Sequence, residues 1–103
     1  MGRKIPIGSV ERYRISMNVE GNNNSTLGST EWKLRVWCHS KDLAIDKKSA
    51  IRVNDEEYDV FIDTAIIGRG IIKMQLMVDI IDADYKDGLR PQRPIFITGD
   101  EVI

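Results

Sequence analysis

An alternating apolar run near the middle of the chain limits the possible folds more than any other feature of the sequence. Apolar side chains occupy every second position of this run, at Ile72, Met74, Leu76, Val78 and Ile80. Successive side chains of a β-strand point to opposite faces, so the pattern predicts a strand over residues 71–81 with one buried face. The density of the run would also fit a helix. The β-branched residues and the glycines that bracket the run favour the strand.

The segment before this run shows the same alternation, and its apolar positions are Tyr58, Val60 and Ile62. Gly68 and Gly70 lie between the two segments, and glycine adopts the positive φ angles that a tight reversal needs. The sequence therefore predicts that residues 57–82 form a β-hairpin.

Two earlier stretches also alternate and predict two more strands, over residues 12–19 and 31–39. The apolar face of the first consists of Tyr13, Ile15, Met17 and Val19. The apolar face of the second consists of Trp32, Leu34, Val36 and Cys38. Trp37 falls on the opposite, polar face of the second strand, so the two tryptophans are expected to point in opposite directions.

Weaker signals complete a small β domain. Residues 50–54 and 95–98 indicate short strands, and residues 40–50 indicate a loop or a single helical turn. Pro6 lacks the amide hydrogen that a central strand needs, so we expect residues 1–9 to be an arm or an edge strand. Short strands separated by turn signals predict an all-β fold, a small antiparallel β-sandwich of six or seven strands.

Length and charge exclude several classes of function. A chain of 103 residues forms one domain, residues 1–103. Its 15 Lys and Arg oppose 16 Asp and Glu, whereas a general nucleic-acid binder needs a clustered basic field. Lys86, Arg90 and Arg93 form a mild basic cluster that is typical of a solvated loop. No apolar run reaches the roughly 18 residues of a membrane span. We therefore expect neither nucleic acid nor a membrane as a partner.

The residue types that carry catalysis or bind metals are sparse. Cys38 is the one cysteine, which excludes an intrachain disulfide and a cysteine-rich zinc site. His39 is the one histidine, and as the strand neighbour of Cys38 it projects to the opposite face. Asp82, Asp84 and Asp87 lack the ligand spacing of a calcium loop and favour an Asx-type turn. We expect no enzymatic activity, no metal and no cofactor, and an enzyme that uses His39 is the least favoured reading.

Three apolar side chains occupy the otherwise polar faces of their predicted strands, and they are Trp37, Phe61 and Met77. If these strands are neighbours in one sheet, the three side chains form a stripe across its outer surface. Aromatic residues and methionine are enriched at interface centres, although single exposed apolar residues are common. We interpret the stripe as a binding surface for protein partners, including a homo-oligomer. A carbohydrate ligand bound by Trp37 or by the polar loop 21–30 is the alternative.

The order of features over residues 57–103 resembles Ig-like modules in the tail, baseplate and fibre proteins of bacteriophages and prophages. The features are a strand ending at Asp63, a glycine-centred turn, a long strand, the turn DADYKDG and a last strand ending near Gly99. The resemblance implies an Ig-like β-sandwich that serves as a virion structural component through assembly contacts. It implies assembly in the bacterial cytoplasm, and without it we expect a cytoplasmic protein. The family has no catalytic residues to transfer to this chain.

Overall fold

The computed structural model describes residues 2–17 and 26–103. Val19, the end of the first predicted strand, and residues 21–25 of the predicted polar loop lie outside these residues. The described part folds as a small all-β, sandwich-like domain, as predicted. Its strands are β1 (Lys4–Ile5), β2 (Val10–Ser16), β3 (Trp32–Trp37), β4 (Asp42–Asp46), β5 (Ile51–Arg52), β6 (Glu57–Asp63), β7 (Gly70–Ile81), β8 (Leu89–Gln92) and β9 (Ile95–Val102). One α-helix, α1 (Thr64–Ile67), and 3₁₀ turns at Lys47–Ser49 and Lys86–Gly88 complete the elements in this part of the chain.

The strands form two sheets. The larger sheet has the order β1-β9-β7-β3-β4, with β8 paired to the C-terminal part of β7, and the smaller sheet has the order β2-β6-β5. All of these pairings are antiparallel except that of β1 with β9. The long strand β7 therefore pairs with β3 along one side and with β9 and then β8 along the other.

The core lies between the two sheets and follows the predicted alternation. All five alternating apolar residues of β7 are buried, and so are Trp32, Leu34 and Val36 on β3 and Cys38 just after it. The smaller sheet contributes Tyr58, Val60 and Ile62 from β6. The rings of Trp32 and Tyr58 meet edge to face, with centroids 5.4 Å apart, and so join the two sheets. Each fully buried large aliphatic side chain contributes roughly 1.5–3 kcal/mol, so this core is the main source of stability.

A polar contact also joins the sheets, at the end of the sandwich where β9 meets β1. The Tyr13 hydroxyl of β2 donates to Asp100 Oδ2 of β9 at 2.6 Å, and the Arg3 backbone N–H donates to Asp100 Oδ1 at 2.9 Å. Burial, followed by the hydrogen bond to Asp100, raises the pKa of Tyr13 to about 12. Burial alone would raise the pKa of Asp100, but the hydrogen bonds from Tyr13 and Arg3 and the Arg3 charge outweigh it and lower that pKa. The contact therefore holds Asp100 ionised and Tyr13 neutral.

The predicted hairpin over residues 57–82 is wrong. Its two arms, β6 and β7, are strands as predicted, but they belong to different sheets. The connection is too long for a tight reversal because residues 64–67 form α1, which Asp63 caps by accepting from the Ala65 N–H at 3.0 Å. Thr64 anchors this helix to the start of β2, since its hydroxyl donates to the Ser9 carbonyl at 2.7 Å. The chain therefore crosses from one sheet to the other at this point.

The predicted number of strands is also too low. Residues 40–50 contain β4 and a 3₁₀ turn, although the sequence predicts a loop or one helical turn. Five residues with an aspartate at each end give a weak strand signal, and pairing of Leu43 and Ile45 with β3 decides the conformation. The strand β8 includes Pro91, which a sheet accepts only at an edge. Within residues 1–9, predicted to be an arm or an edge strand, Lys4–Ile5 form β1 and pair with β9.

Candidate protein-contact surface

The structure separates the three residues of the predicted stripe. Trp37 on β3 and Met77 on β7 are half-buried on the outer face of the larger sheet. Phe61 lies on β6 in the smaller sheet and is 42% exposed. A single stripe would require that the strands carrying these three residues are neighbours in one sheet. The strand β6 belongs to the other sheet, so this condition is not met. The three residues do not form one row, and a binding role for each of them stays a prediction.

Two residues that the sequence reading missed lie on the same face as Trp37 and Met77. Lys73 pairs with Trp37 on one side and with Ile97 on the other, so these three residues form one row across three strands. Ile95 lies in the next row, opposite Gln75. Neighbouring strands are about 4.8 Å apart, which places the Trp37 and Ile97 backbones about 10 Å apart. We call Trp37, Met77, Ile95 and Ile97 the outer patch.

Ile95 and Ile97 are the most exposed members of the outer patch, at 57% and 69%. Between them Phe96, which pairs with Met74, points to the inner face and is still 47% exposed. Three consecutive apolar residues that are all exposed are unusual for a strand of a monomeric protein. This run was visible in the sequence as Ile95-Phe96-Ile97. Local sequence signals predict only a short terminal strand at this point and do not indicate which of its residues are exposed.

Trp37 contacts a charged side chain of its own strand. The Arg35 guanidinium carbon lies 4.6 Å from the centroid of the Trp37 ring, and Arg35 Nε donates to Asp42 Oδ2 at 2.5 Å. A cation over an aromatic face is attractive, and the aspartate limits the freedom of the arginine. A partner would therefore meet a tryptophan whose ring is already in contact with a guanidinium group.

A charged cleft of about 470 Å³ borders the outer patch at Met77. Two of the cations that line it, Lys47 and Arg93, are engaged within the chain. Lys47 Nζ donates to the carbonyls of Gly28 and Thr30, and Arg93 donates to the carbonyl of Val78 and forms an ion pair with Asp79. The cleft thus gives the outer patch a polar rim, an arrangement that protein interfaces share.

A second cavity, of about 290 Å³, opens between the two sheets beside Phe96. Its walls are mainly apolar and come from β2, β3, β7 and β9, with Tyr13, Ile15 and Met74 among the lining residues. This cavity lies on the side of β9 opposite to the outer patch. Phe96 therefore borders the interior of the sandwich, while Ile95 and Ile97 face outwards.

Phe61 has a different environment from the outer patch. It pairs with Arg12 across the smaller sheet, and the next pair on that face is Arg14 with Asp59. Arg14 binds Asp59 through two hydrogen bonds of 2.9 and 3.3 Å, and the first of these is the main reason that the pKa of Asp59 is lowered. Phe61 is accordingly an exposed ring within a charged face, a situation that needs no partner to explain it.

The residues considered for catalysis and metal binding are not assembled into a site in the described part of the chain. Cys38 is buried, which raises the pKa of its thiol, and it donates to the Gly70 carbonyl at 3.4 Å, whereas His39 is exposed. Asp82 accepts from the Asp84 N–H at 3.1 Å, which is the predicted Asx turn. Within residues 2–17 and 26–103, no three His, Cys, Asp or Glu side chains are placed to share a metal ion. In the same residues, no helix is long and apolar enough to cross a membrane.

Fold and surface together define a small all-β, sandwich-like domain with an apolar patch on the outside of its larger sheet. Comparison of the chain with protein-family models, with curated proteins and with solved structures gives no match. Any function proposed for the chain therefore rests on the sequence pattern, the fold and this surface.

Proposed function

We propose that the chain is a non-enzymatic interaction module that acts through assembly contacts with other protein chains. The observation that carries the proposal is the outer patch, in which a half-buried tryptophan and a methionine share one sheet face with two strongly exposed isoleucines. Aromatic side chains, methionine and arginine are the residues that interface centres favour, and Arg35 adds the last of these. A charged cleft at the edge of the patch supplies the polar rim.

A more specific proposal follows from the resemblance of residues 57–103 to Ig-like virion modules. We propose that the assembly in question is a phage or prophage particle, with the chain as a tail or baseplate component. The support is the order of strands and turns in that half of the chain. Genes for portal, capsid or baseplate proteins beside the gene for this chain are the expected observation, and neighbours of unrelated function would count against it.

Sedimentation velocity of a Trp37→Glu variant tests the interaction role. We expect the wild-type chain to associate with increasing concentration and the variant to associate at least about fivefold more weakly, because a desolvated interface residue is typically worth 1 kcal/mol or more. The unfolding midpoint of the variant should stay close to that of the wild type, since Trp37 lies on the outer face. Equal association of both proteins would contradict a role for the outer patch.

Phe61→Glu is the matched control. It exchanges an exposed aromatic residue for the same acid, but on the other sheet. We expect its association to equal that of the wild type. Reduced association in both variants would indicate a nonspecific effect of added negative charge. Binding of oligosaccharides that Trp37→Glu abolishes would instead favour the carbohydrate alternative.

A further inference from the structure

An open strand edge lies next to the outer patch. One side of β9 is covered by β7, and the other side is paired with β1 only at Glu101 and Val102. Gly2, just before β1, packs so closely on Gly99 that a Cβ at Gly2 would lie 1.8 Å from the Gly99 oxygen. Among the described residues, no strand pairs with the free side of residues 95–97.

The backbone groups of Ile95 and Ile97 point to this open side. Continuing the register of β7 with β9 by one residue places Leu76 opposite Pro94. The Leu76 N–H donates to the Pro94 carbonyl at 3.1 Å. In an antiparallel ladder, every second residue exchanges hydrogen bonds with the same neighbour. Phe96 therefore bonds to β7, and the N–H and C=O groups of Ile95 and Ile97 are directed away from it. An extended strand is the partner whose backbone can satisfy all four groups.

The edge strands β1, β2, β4, β5 and β8 carry the features that prevent pairing between molecules. Edges are protected by charge, by proline or by short length. The edge strand β2 contains Glu11, Arg12 and Arg14, β4 begins and ends with aspartate, and β8 contains Pro91. The strands β1 and β5 are two residues long. Residues 95–97 of β9 have neither charge nor proline, so neither of these features protects this edge.

We propose that residues 95–97 of β9 pair antiparallel with the same residues of a second copy of this chain, which makes the larger sheets of two molecules continuous. A two-fold axis midway between the two Phe96 residues places Ile95 of each copy opposite Ile97 of the other. Both of these pairs are then hydrogen-bonded, and the two Phe96 rings form the closer, non-hydrogen-bonded pair. The four isoleucines cover one another on the outer face. The inference rests on the proposed assembly role and specifies its partner and geometry.

Charges at the two ends of the segment favour the antiparallel arrangement with a second copy. Arg93 precedes the uncharged residues 94–99, and Asp100 and Glu101 follow them. Antiparallel pairing brings the basic end of each copy towards the acidic end of the other. Each of these side chains also forms an ion pair within its own chain, Arg93 with Asp79, Asp100 with Arg3 and Glu101 with Lys4, so the charges affect the orientation of the pairing more than its strength. Parallel pairing would bring like charges together.

Amide hydrogen exchange of the full-length protein at two concentrations tests this pairing. At roughly 10 µM, where a short ladder should be largely dissociated, the Ile95 and Ile97 amides should exchange as exposed groups. At about 1 mM both should become protected, by a factor of about ten or more, while the Phe96 amide is protected throughout by β7. Protection that does not depend on concentration would overturn the pairing.

Two substitutions provide the second arm of the test. Ile97→Pro removes an N–H that points away from β7, so it should block pairing without breaking the internal ladder. Ile97→Lys adds the kind of charge that protects strand edges. It replaces Ile97→Pro in the experiment if the proline variant does not fold. Val10→Lys is the control, since Val10 is 59% exposed on the edge strand of the smaller sheet. We expect either Ile97 variant to weaken self-association by roughly tenfold or more, and Val10→Lys to leave it unchanged.

The outcomes separate this inference from the proposed function. Self-association that Trp37→Glu weakens, with unprotected Ile95 and Ile97 amides and no effect of the Ile97 substitutions, would retain the assembly role and overturn the edge pairing. Concentration-dependent protection that the Ile97 substitutions abolish supports the pairing whatever Trp37→Glu does. A chain that stays monomeric at about 1 mM would overturn the pairing and the homo-oligomeric form of the proposed function.

Discussion

The substitution Tyr13→Phe removes one hydroxyl group from the contact between the two sheets. We expect it to lower the free energy of unfolding by a measurable amount. The hydroxyl donates to the ionised Asp100 at 2.6 Å, and Asp100 is 8% exposed. A hydrogen bond to a charged group contributes about 1.5–3 kcal/mol, and the lower end applies because Tyr13 is only half-buried. A loss of about 1.5 kcal/mol corresponds to a decrease in Tm of roughly 6–10 °C for a domain of this size.

Urea and thermal unfolding, followed by tryptophan fluorescence, would measure this loss. Tyr85→Phe is the matched control, because Tyr85 is exposed and its ring, which lies 5.7 Å from the Arg90 guanidinium, is retained in phenylalanine. The control should stay within about 0.5 kcal/mol of the wild type. A Tyr13→Phe variant as stable as the wild type at pH 7 would refute the proposed link between the sheets.

The effect of Tyr13→Phe should also depend on pH at both ends of the scale. The folded-state pKa of Asp100 is lowered, so its contribution is present above the unfolded value of about 3.9 and is lost as the pH falls through the folded value. The folded-state pKa of Tyr13 is raised to about 12, so its contribution is present below about pH 10 and is lost as the pH rises from about 10 to 12. The difference in stability between wild type and variant should therefore be largest near neutral pH. A difference that is constant from pH 3 to pH 11 would contradict this reasoning.

Three further predictions test the core and two glycine positions. Leu34→Ala should lower the free energy of unfolding by about 2–5 kcal/mol, because Leu34 is fully buried between the sheets, and urea unfolding would measure this. Gly70→Ala should lower the free energy of unfolding by more than about 1 kcal/mol, since the φ angle of Gly70 is +125° and the new Cβ would lie 2.6 Å from His39 Nε2. Gly88→Ala should lower it by less, because Gly88 has a positive φ angle but no close contact. Cys38 should react with a thiol reagent only on unfolding, because it is buried and its pKa is raised, and fast reaction of the folded protein would contradict its position in the core.

The sequence predicted the fold well wherever period-two alternation is long. The buried face of β7 and the opposite orientations of Trp32 and Trp37 follow directly from that period, and the structure confirms them. The hairpin prediction failed because glycines that permit a reversal do not require one. Capping by Asp63 and the anchoring of Thr64 by Ser9 make the chain cross between the sheets, and the second of these is a contact over 55 residues that local patterns do not reveal.

The candidate surface could be predicted only in part. Alternation placed Trp37 and Met77 on an outer face, but it could not decide which strands are neighbours, and Phe61 was therefore assigned to the wrong group. Ile95 and Ile97 join the outer patch through the pairing of β9 with β7, which is a property of the whole sheet. The open edge likewise depends on where β1 ends along β9.

The mass of the wild-type chain in solution, measured by light scattering over a range of concentrations, tests the central claim most directly. If the exposed residues of the larger sheet serve assembly, the weight-average mass should rise from 11.8 kDa to at least twice that value as the concentration increases. A mass that remains at 11.8 kDa at the highest concentration would contradict the account of this chain as a self-assembling module.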